Sequence, residues 1–395
     1  MVHGSELELR ELGEDDIDDF VRLSRRSFGF PTQPVPRPER LSAGSTRHGA
    51  FLGGRLVGQA FDLHDQQWWG GELLAAADLA GVATAPEVRG RGVATAVLRR
   101  LLEHARDRGA VVSALFPSIA AVYRRFGWVS AGRIDFVDLP TAALPSWPIS
   151  DDLEVREGGP ADLPAAHELY QRLAMTRNGM LNRTAERFRR DELPERVDGL
   201  TLVLDGDDVV AYCTWARGTG VGADAVLTVF DALAATPAAA RALVTVLRSW
   251  HTVVGTVRLR LLGDDAVSDL VSLELGTVDT VRAWMHRPVD IVGAVEERAW
   301  PTGASGRAVF AVEDRLAPWN TGAWAVEVDG GKAELRRTTD DVSVTLTVNG
   351  FAALYCGLTT VAALRETGHV TGPYEDAAAL DVLGTSAPPR LLDSF

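Results

Sequence analysis

Two periods of hydrophobic residues alternate along this chain. L-E-L-R-E-L-G-E-D-D (7–16) reads as a first strand followed by a helix start, with Asp15 or Asp16 as the N-cap candidate. D-F-V-R-L-S-R-R-S-F then places its apolar residues at helical spacing and carries a helix to Phe28. Four prolines in G-F-P-T-Q-P-V-P-R-P-E-R (29–40) remove donors and fix the backbone, so a loop is expected there. H-G-A-F-L turns at Gly53-Gly54 into R-L-V-G-Q-A-F-D-L, a hairpin, and an apolar, Ala-rich run from Leu73 to Thr84 reads as a central strand covered on both faces.

From Val82 to Trp128 the order is strand, Gly/Arg turn, helix, second strand, and a short helix ending in Tyr123 and R-R-F-G-W. That order suits phosphate binding. Gly90 and Gly92 let the backbone approach a ligand closely, and the first N–H groups of a helix have no internal partner and point toward an anion. Arg89 and Arg91 add charge-assisted donors for a pyrophosphate. A Walker loop needs Gly-Lys-Ser/Thr after the glycines, and a dinucleotide fingerprint needs a third Gly or Ala three residues after the second. Gly92 is followed by Val93, Ala94 and Thr95, so neither template fits.

D-L-P-T-A-A-L-P-S-W-P-I-S-D-D (138–152) carries three prolines and reads as a linker. Beyond it the chain starts again: L-E-V-R-E-G-G-P-A-D (153–162) echoes residues 7–16 at an offset of 146, which implies a duplicated unit. At the same offset R-G-R-G-V-A (89–94) lands on A-T-P-A-A-A (235–240), where glycines and arginines are gone, so the second copy is not expected to hold a pyrophosphate. Asp205-Gly206-Asp207-Asp208 reads as a hairpin turn. From about Pro288 the pattern becomes alternating strands, A-V-F-A-V-E-D, G-A-W-A-V-E-V-D-G-G-K-A-E-L-R-R and V-S-V-T-L-T-V, with a helical run N-G-F-A-A-L-Y-C-G from Asn349. This is an α+β unit without a nucleophile–base pattern.

At 395 residues the chain is long enough for two or three domains, and 46% apolar residues supply a sizeable core. Cys213 and Cys356 stand far apart without metal-spaced neighbours, so no disulfide framework and no metal site is expected, and reduced thiols point to the cytoplasm. The acidic N-terminus does not read as a signal peptide, and the apolar stretch from Gly350 to Leu364 is too short for a bilayer. A net charge of −14 argues against nucleic acid and favours cationic small molecules.

R-G-R-G-V-A resembles the Q/R-x-x-G-x-G/A pyrophosphate loop of the GNAT acetyltransferases, and A-V-Y-R-R-F-G-W resembles their closing Y-x-x-x-G-F/W motif. V-E-D-R-L-A-P-W-N (312–320) resembles a turn of the sterol-carrier-protein-like domain that closes the enhanced-intracellular-survival family of bacterial acetyltransferases. The resemblance spans nearly the whole chain. It implies an α/β and α+β protein: a catalytic GNAT domain over 1–145 and a degenerate one over 146–286, each a mixed central sheet flanked by helices, then a sterol-carrier-protein-like α+β domain over 287–395.

The cofactor implied is acetyl-CoA, held by Val82, Thr84, Arg89, Gly90, Arg91, Gly92, Val93, Ala94, Ser118 and Tyr123. The Val82 N–H would polarise the thioester carbonyl, and the Tyr123 phenol would serve the leaving sulfur. Phe28 and Phe30 are candidates to line the acceptor cleft, with core packing the alternative. No His or Glu of the first unit presents itself as a base: His104 reads as a surface residue, His48 and His64 lie in or near hairpins. The resemblance assigns that role to the terminal carboxylate of Phe395, which would also meet the acceptor. It implies an N-acetyltransferase acting on primary amines of a cationic small molecule such as an aminoglycoside, by direct attack, in a soluble homo-oligomer, a trimer or hexamer. Protein lysine acetylation and a non-catalytic CoA- or lipid-binding protein are the alternatives.

Overall fold

Strands and helices follow the changes of hydrophobic period in a computed structural model that describes residues 6–29, 44–185, 187–188 and 191–395. The first stretch runs β1 (Glu8–Glu11), α1 (Ile17–Phe28), β2 (Ser45–Leu52), β3 (Arg55–Trp69), β4 (Glu72–Thr84), α2 (Val93–Asp107), β5 (Val112–Leu115), α3 (Ala120–Arg124) and β6 (Val129–Pro140). The same order returns, with no α-helix at the place of α3, as β7 (Leu153–Gly158), α4 (Leu163–Ala174), β8 (Gly199–Asp205), β9 (Asp208–Arg217), β10 (Gly222–Ala234), α5 (Pro237–Ser249), β11 (Val254–Leu261) and β12 (Thr277–Pro288). The remainder is α6 (Ile291–Glu296), β13 (Gly306–Glu313), β14 (Gly322–Asp329), β15 (Lys332–Arg337), β16 (Thr345–Thr347), α7 (Val348–Tyr355), α8 (Val361–Glu366), β17 (Val370–Thr371) and α9 (Tyr374–Ala378). The run V-S-V-T-L-T-V is strand only over Thr345–Thr347, and its last residue, Val348, begins α7.

The sequence repeat is also a repeat of contacts. Asp16 does not cap α1 with its side chain; its carboxylate accepts from the Gly13 N–H at 2.9 Å and from both terminal nitrogens of Arg10 at 2.6 and 2.7 Å. Asp162 does the same with Gly159 (2.8 Å) and Arg156 (3.0 and 2.6 Å). The echoed R-x-x-G-x-x-D residues thus tie each first strand to the helix that follows it.

Two compact units form, each discontinuous in sequence. One takes the described residues up to Ala131, then Trp284–Pro389 and Phe395. Its larger sheet has the order β1-β2-β3-β4-β5-β12, antiparallel except for β4 against β5, with the end of β12 (Met285–Pro288) paired to β5. Leu23 of α1 and Val93, Val97 and Leu101 of α2 bury against this sheet around Ala60, Ala77 and Leu79. Its smaller sheet runs β15-β14-β13-β16-β17, and Phe310, Trp324, Phe351 and Leu380 form a core continuous with Trp69, Leu74 and Val112 of the larger one.

The other unit takes Gly132–Ala283 and Arg390–Ser394. Its sheet follows β6-β11-β10-β9-β8-β7, with only β10 and β11 parallel, and α5 packs Ala239, Leu243 and Leu247 on Val203, Leu227 and Val229.

Candidate active site

The parallel ladder between β4 and β5 covers only Ala76–Leu79 and Val112–Leu115. Beyond it β4 runs on to Thr84 with no β5 partner, so the two strands splay. On its other edge β4 shifts register against β3 between the pairs Phe61↔Ala80 and Gln59↔Ala83, so Gly81 and Val82 together oppose Ala60. Gly81 is left-handed at φ 58°, and a Cβ there would stand 2.5 Å from the Phe61 ring. The bulge bends β4 where the splay opens. Val82 and Thr84 present backbone groups that β5 does not use.

Residues 85–92 connect β4 to α2. A 3-10 turn at Pro86–Val88 is followed by exposed Arg89 and Arg91, with Gly90 and Gly92 left-handed at φ 78° and 83°. Nothing lies within 4 Å of a Cβ added at either glycine, so both are required by backbone conformation and leave open space. Gly92 is the N-cap of α2 and has no side chain to satisfy the N–H groups of Val93 and Ala94. Helix-start N–H groups that no cap side chain takes, beside two exposed guanidinium groups, fit the pyrophosphate of a nucleotide-derived cofactor.

Tyr123 sits on α3, just past the end of β5 and the exposed Ser118. Its ring is edge-on to Trp128 at 6.2 Å, its hydroxyl makes no hydrogen bond with the described residues, and burial pushes it up to about 12. It is therefore a protonated donor with a free hydroxyl. Three residues that sequence reasoning missed brace this helix. Arg287 donates to the Phe126 carbonyl (2.5 Å) and to Asp314 (2.5 Å), and Asn349 donates to the carbonyls of Arg124 (3.0 Å) and Trp128 (3.3 Å). Asp314 belongs to the V-E-D-R-L-A-P-W-N stretch, and it also accepts from the Leu316 and Ala317 N–H groups and from Asn320. The motif was visible, but its role as a brace was not.

Phe395 places its ring edge-on to Phe116, the residue that follows β5, at 5.1 Å between centroids. Phe28 ends α1 and is 40% exposed. Phe30 lies outside the described residues.

His48 and His64 lie in the β2–β3 hairpin, as expected, while His104 corrects the sequence reading. His104 is not a free surface residue: its ring packs 5.1 Å from His48 and 6.4 Å from His64, with its buried Nδ1 unpaired and 4.0 Å from Asp62. Burial lowers His48 and His64 to about 4 each, His48 with help from His104 and Arg100, His64 with help from Arg108 and His104. Asp62 is fully paired, accepting from Arg108 at 2.7 and 2.9 Å. Among the described residues no three His, Cys, Asp or Glu side chains converge to hold a metal ion.

The repeat departs from a constant offset where it matters most. In the second copy β10 ends at Ala234 and α5 begins at Pro237, so residues 235–236 stand where residues 85–92 stand in the first. The loop is not substituted but missing. The Thr236 side chain accepts from the Ala239 N–H and so occupies a helix-start donor that α2 leaves open. An open cavity of about 850 Å³ lies in this unit, lined by Tyr170, Tyr212, Phe230, Pro194, Asp393 and Ser394 among others.

Models of the Acetyltransferase (GNAT) domain match residues 8–131 and, separately, 179–288, and a model of the Sterol carrier protein domain matches 291–391. An uncharacterised N-acetyltransferase of Streptomyces avermitilis is 32% identical over 322 residues, 76% of each chain. A GCN5-related N-acetyltransferase from Kribbella flavida, of known crystal structure, is 29% identical with a TM-score of 0.82 over 99% of both chains. Eis1 from Mycobacterium abscessus shares the fold, at 24% identity and a TM-score of 0.76 over 98% of this chain and 100% of that one.

Proposed function

The chain belongs to the enhanced-intracellular-survival type of GNAT N-acetyltransferases, and from that premise we propose that it acetylates primary amines of a cationic small molecule of the aminoglycoside kind, using acetyl-CoA. Arg89, Gly90, Arg91, Gly92, Val93 and Ala94 hold the pyrophosphate, while Val82 and Thr84 offer backbone groups to the pantetheine arm. The net charge of −14 favours approach of a polycation.

In the reaction the amine nitrogen attacks the thioester carbonyl carbon, the Val82 N–H stabilises the oxyanion, and the C–S bond breaks as Tyr123 gives its proton to the departing sulfur. The proton lost by the amine leaves to solvent water, and Tyr123 is reprotonated from solvent. A terminal carboxyl has a pKa of about 3.5, so the Phe395 carboxylate works through that water or by orienting the amine. Neither thiol is placed to carry an acyl group: Cys213 and Cys356 are buried, and burial pushes the Cys213 thiol up to about 12. That favours direct transfer in a ternary complex. The same buried, unpaired thiols suit a reducing compartment, the cytoplasm.

The observation that carries this reading is the half-buried, protonated Tyr123 hydroxyl without a partner, beyond the splay of β4 and β5. Thiol release from acetyl-CoA against aminoglycosides, polyamines and lysine peptides tests it. Tyr123→Phe should lower kcat by about 10²–10⁴-fold and leave the KM for acetyl-CoA within twofold. An unchanged kcat, or no amine turned over by the native enzyme, would overturn the reading.

A further inference from the structure

The guanidinium groups buried in this chain are matched to acceptors, with one exception. Arg287 meets Asp314, Arg260 meets Asp231 at 2.6 Å, and Arg183 bridges Asp231 and Asp393 at 2.5 and 3.0 Å. Arg298 has no carboxylate but donates to the Tyr355 carbonyl at 2.9 Å and to the Ser386 hydroxyl. Arg47 of β2 is the exception. It is 8% exposed, and its Nε and Nη1 are buried without a partner. No other arginine among the described residues has buried nitrogens in that state.

The β2–β3 register sets Arg47 opposite Phe61 and Gly49 opposite Gln59, so Arg47, Phe61 and Gln59 share one face of the sheet. The first helix, α1, covers that face. The Arg47 guanidinium carbon lies 4.8 Å from the ring centroid of Phe20 and 5.0 Å from that of Phe61, and the Gln59 side chain donates to the Ser24 hydroxyl at 2.7 Å. The Gln59 amide oxygen has no partner and does not take up Arg47 either. Ring faces answer part of the guanidinium charge, but its N–H donors lie in the guanidinium plane and are left unmet. Burial lowers the Arg47 pKa, against a weaker upward pull from Glu14.

A water would satisfy the donors and leave the charge uncompensated, and the penalty of an unpaired interior ion exceeds what a cation–π contact recovers. A small anion meets both needs. The Ser27 hydroxyl stands on the same helix face as Phe20 and Ser24, is buried without a partner, and adds a third donor. We propose that Arg47, between Phe20 and Phe61, binds a monovalent inorganic anion of chloride size beneath α1. The site lies wholly within the first unit. The Phe61 ring also lies against Gly81, so one side chain links the anion site to the bend in β4.

Thermal melts in sodium chloride and in sodium gluconate at equal ionic strength test it, because both salts screen surface charge alike and gluconate is too bulky for a buried site. Chloride should raise the melting midpoint of the native protein saturably, by about 2–4 °C over gluconate. Arg47→Met removes the charge and keeps an unbranched chain between the two rings, so it should lose that response. Crystals of the native protein grown in sodium bromide should show an anomalous bromide peak between Nε and Nη1 of Arg47. Native melts that coincide in the two salts, a variant that keeps the chloride response, or a site without bromide would each overturn the proposal. The bromide measurement needs no variant. None of these readouts involves turnover, so the acetyl-transfer reading stands or falls separately.

Discussion

His48 shows how far a residue's neighbours can move it from its sequence reading. In the sequence it is a hairpin histidine; in the fold it is 2% exposed, with neither ring nitrogen paired. Its folded value of about 4 lies below the ordinary value of about 6.5, so below pH 6.5 the unfolded chain binds the proton more readily. Stability is therefore full above pH 6.5 and is lost as pH falls from there through 4. At pH 5 His48 alone should remove about 2 kcal/mol, at about 1.4 kcal/mol per pKa unit. Urea unfolding of the native protein and His48→Leu, compared between pH 7.5 and 5, checks this. The variant should show the shallower loss, and equal losses would refute it. Tyr123 is the opposite case, a residue whose motif lies within a few positions and whose place on a short helix was legible without the fold.

At the scale of elements, the contrast between α2 and α5 separates a cofactor-binding helix start from a closed one. Gly92 leaves the first N–H groups of α2 open, whereas Thr236 caps α5. Gly92→Ala adds a methyl group to open space but forces a left-handed alanine, so it should destabilise by roughly 1 kcal/mol. Relaxation of that strain moves the loop, so the KM for acetyl-CoA should rise severalfold while kcat with saturating cofactor is retained. Initial-rate kinetics beside a thermal melt decide this; an unchanged KM would mean that the loop does not set affinity. The constant offset of the repeat located the second copy, but it missed the shortened connection, because a deletion in a loop leaves the periodicity of the flanking elements untouched.

At the scale of the whole molecule, the third stretch of sequence supports the first. Arg287 and Asp314 pair at 2.5 Å with 0% and 1% of their side chains exposed, and the same guanidinium holds the Phe126 carbonyl behind Tyr123. Asp314→Asn leaves the Arg287 charge buried and uncompensated, a loss of about 3–5 kcal/mol. The melting midpoint should fall by roughly 5–10 °C, and kcat should fall with it as α3 loosens. A melt within a degree of the native protein would show that the pair is dispensable. Strand exchange is likewise a property of this scale: β5 pairs with the end of β12, and β11 with β6, partners more than a hundred residues away.

What the chain determined by itself is what short-range chemistry can write: the element order, the Gly/Arg loop before α2, the Tyr123 helix, and the duplication whose R-x-x-G-x-x-D signature fastens each first strand. Periodicity, turn residues and helix-start donors all act within a few positions, so they can be read in line. The bulge at Gly81, the lowered pKa of His48 and His64, the Arg287–Asp314 brace and the Arg183 bridge between Asp231 and Asp393 were decided only by the tertiary structure. Each depends on desolvation and on partners brought together across 20 to more than 200 residues, and neither burial nor a distant counter-charge leaves a local mark in the sequence.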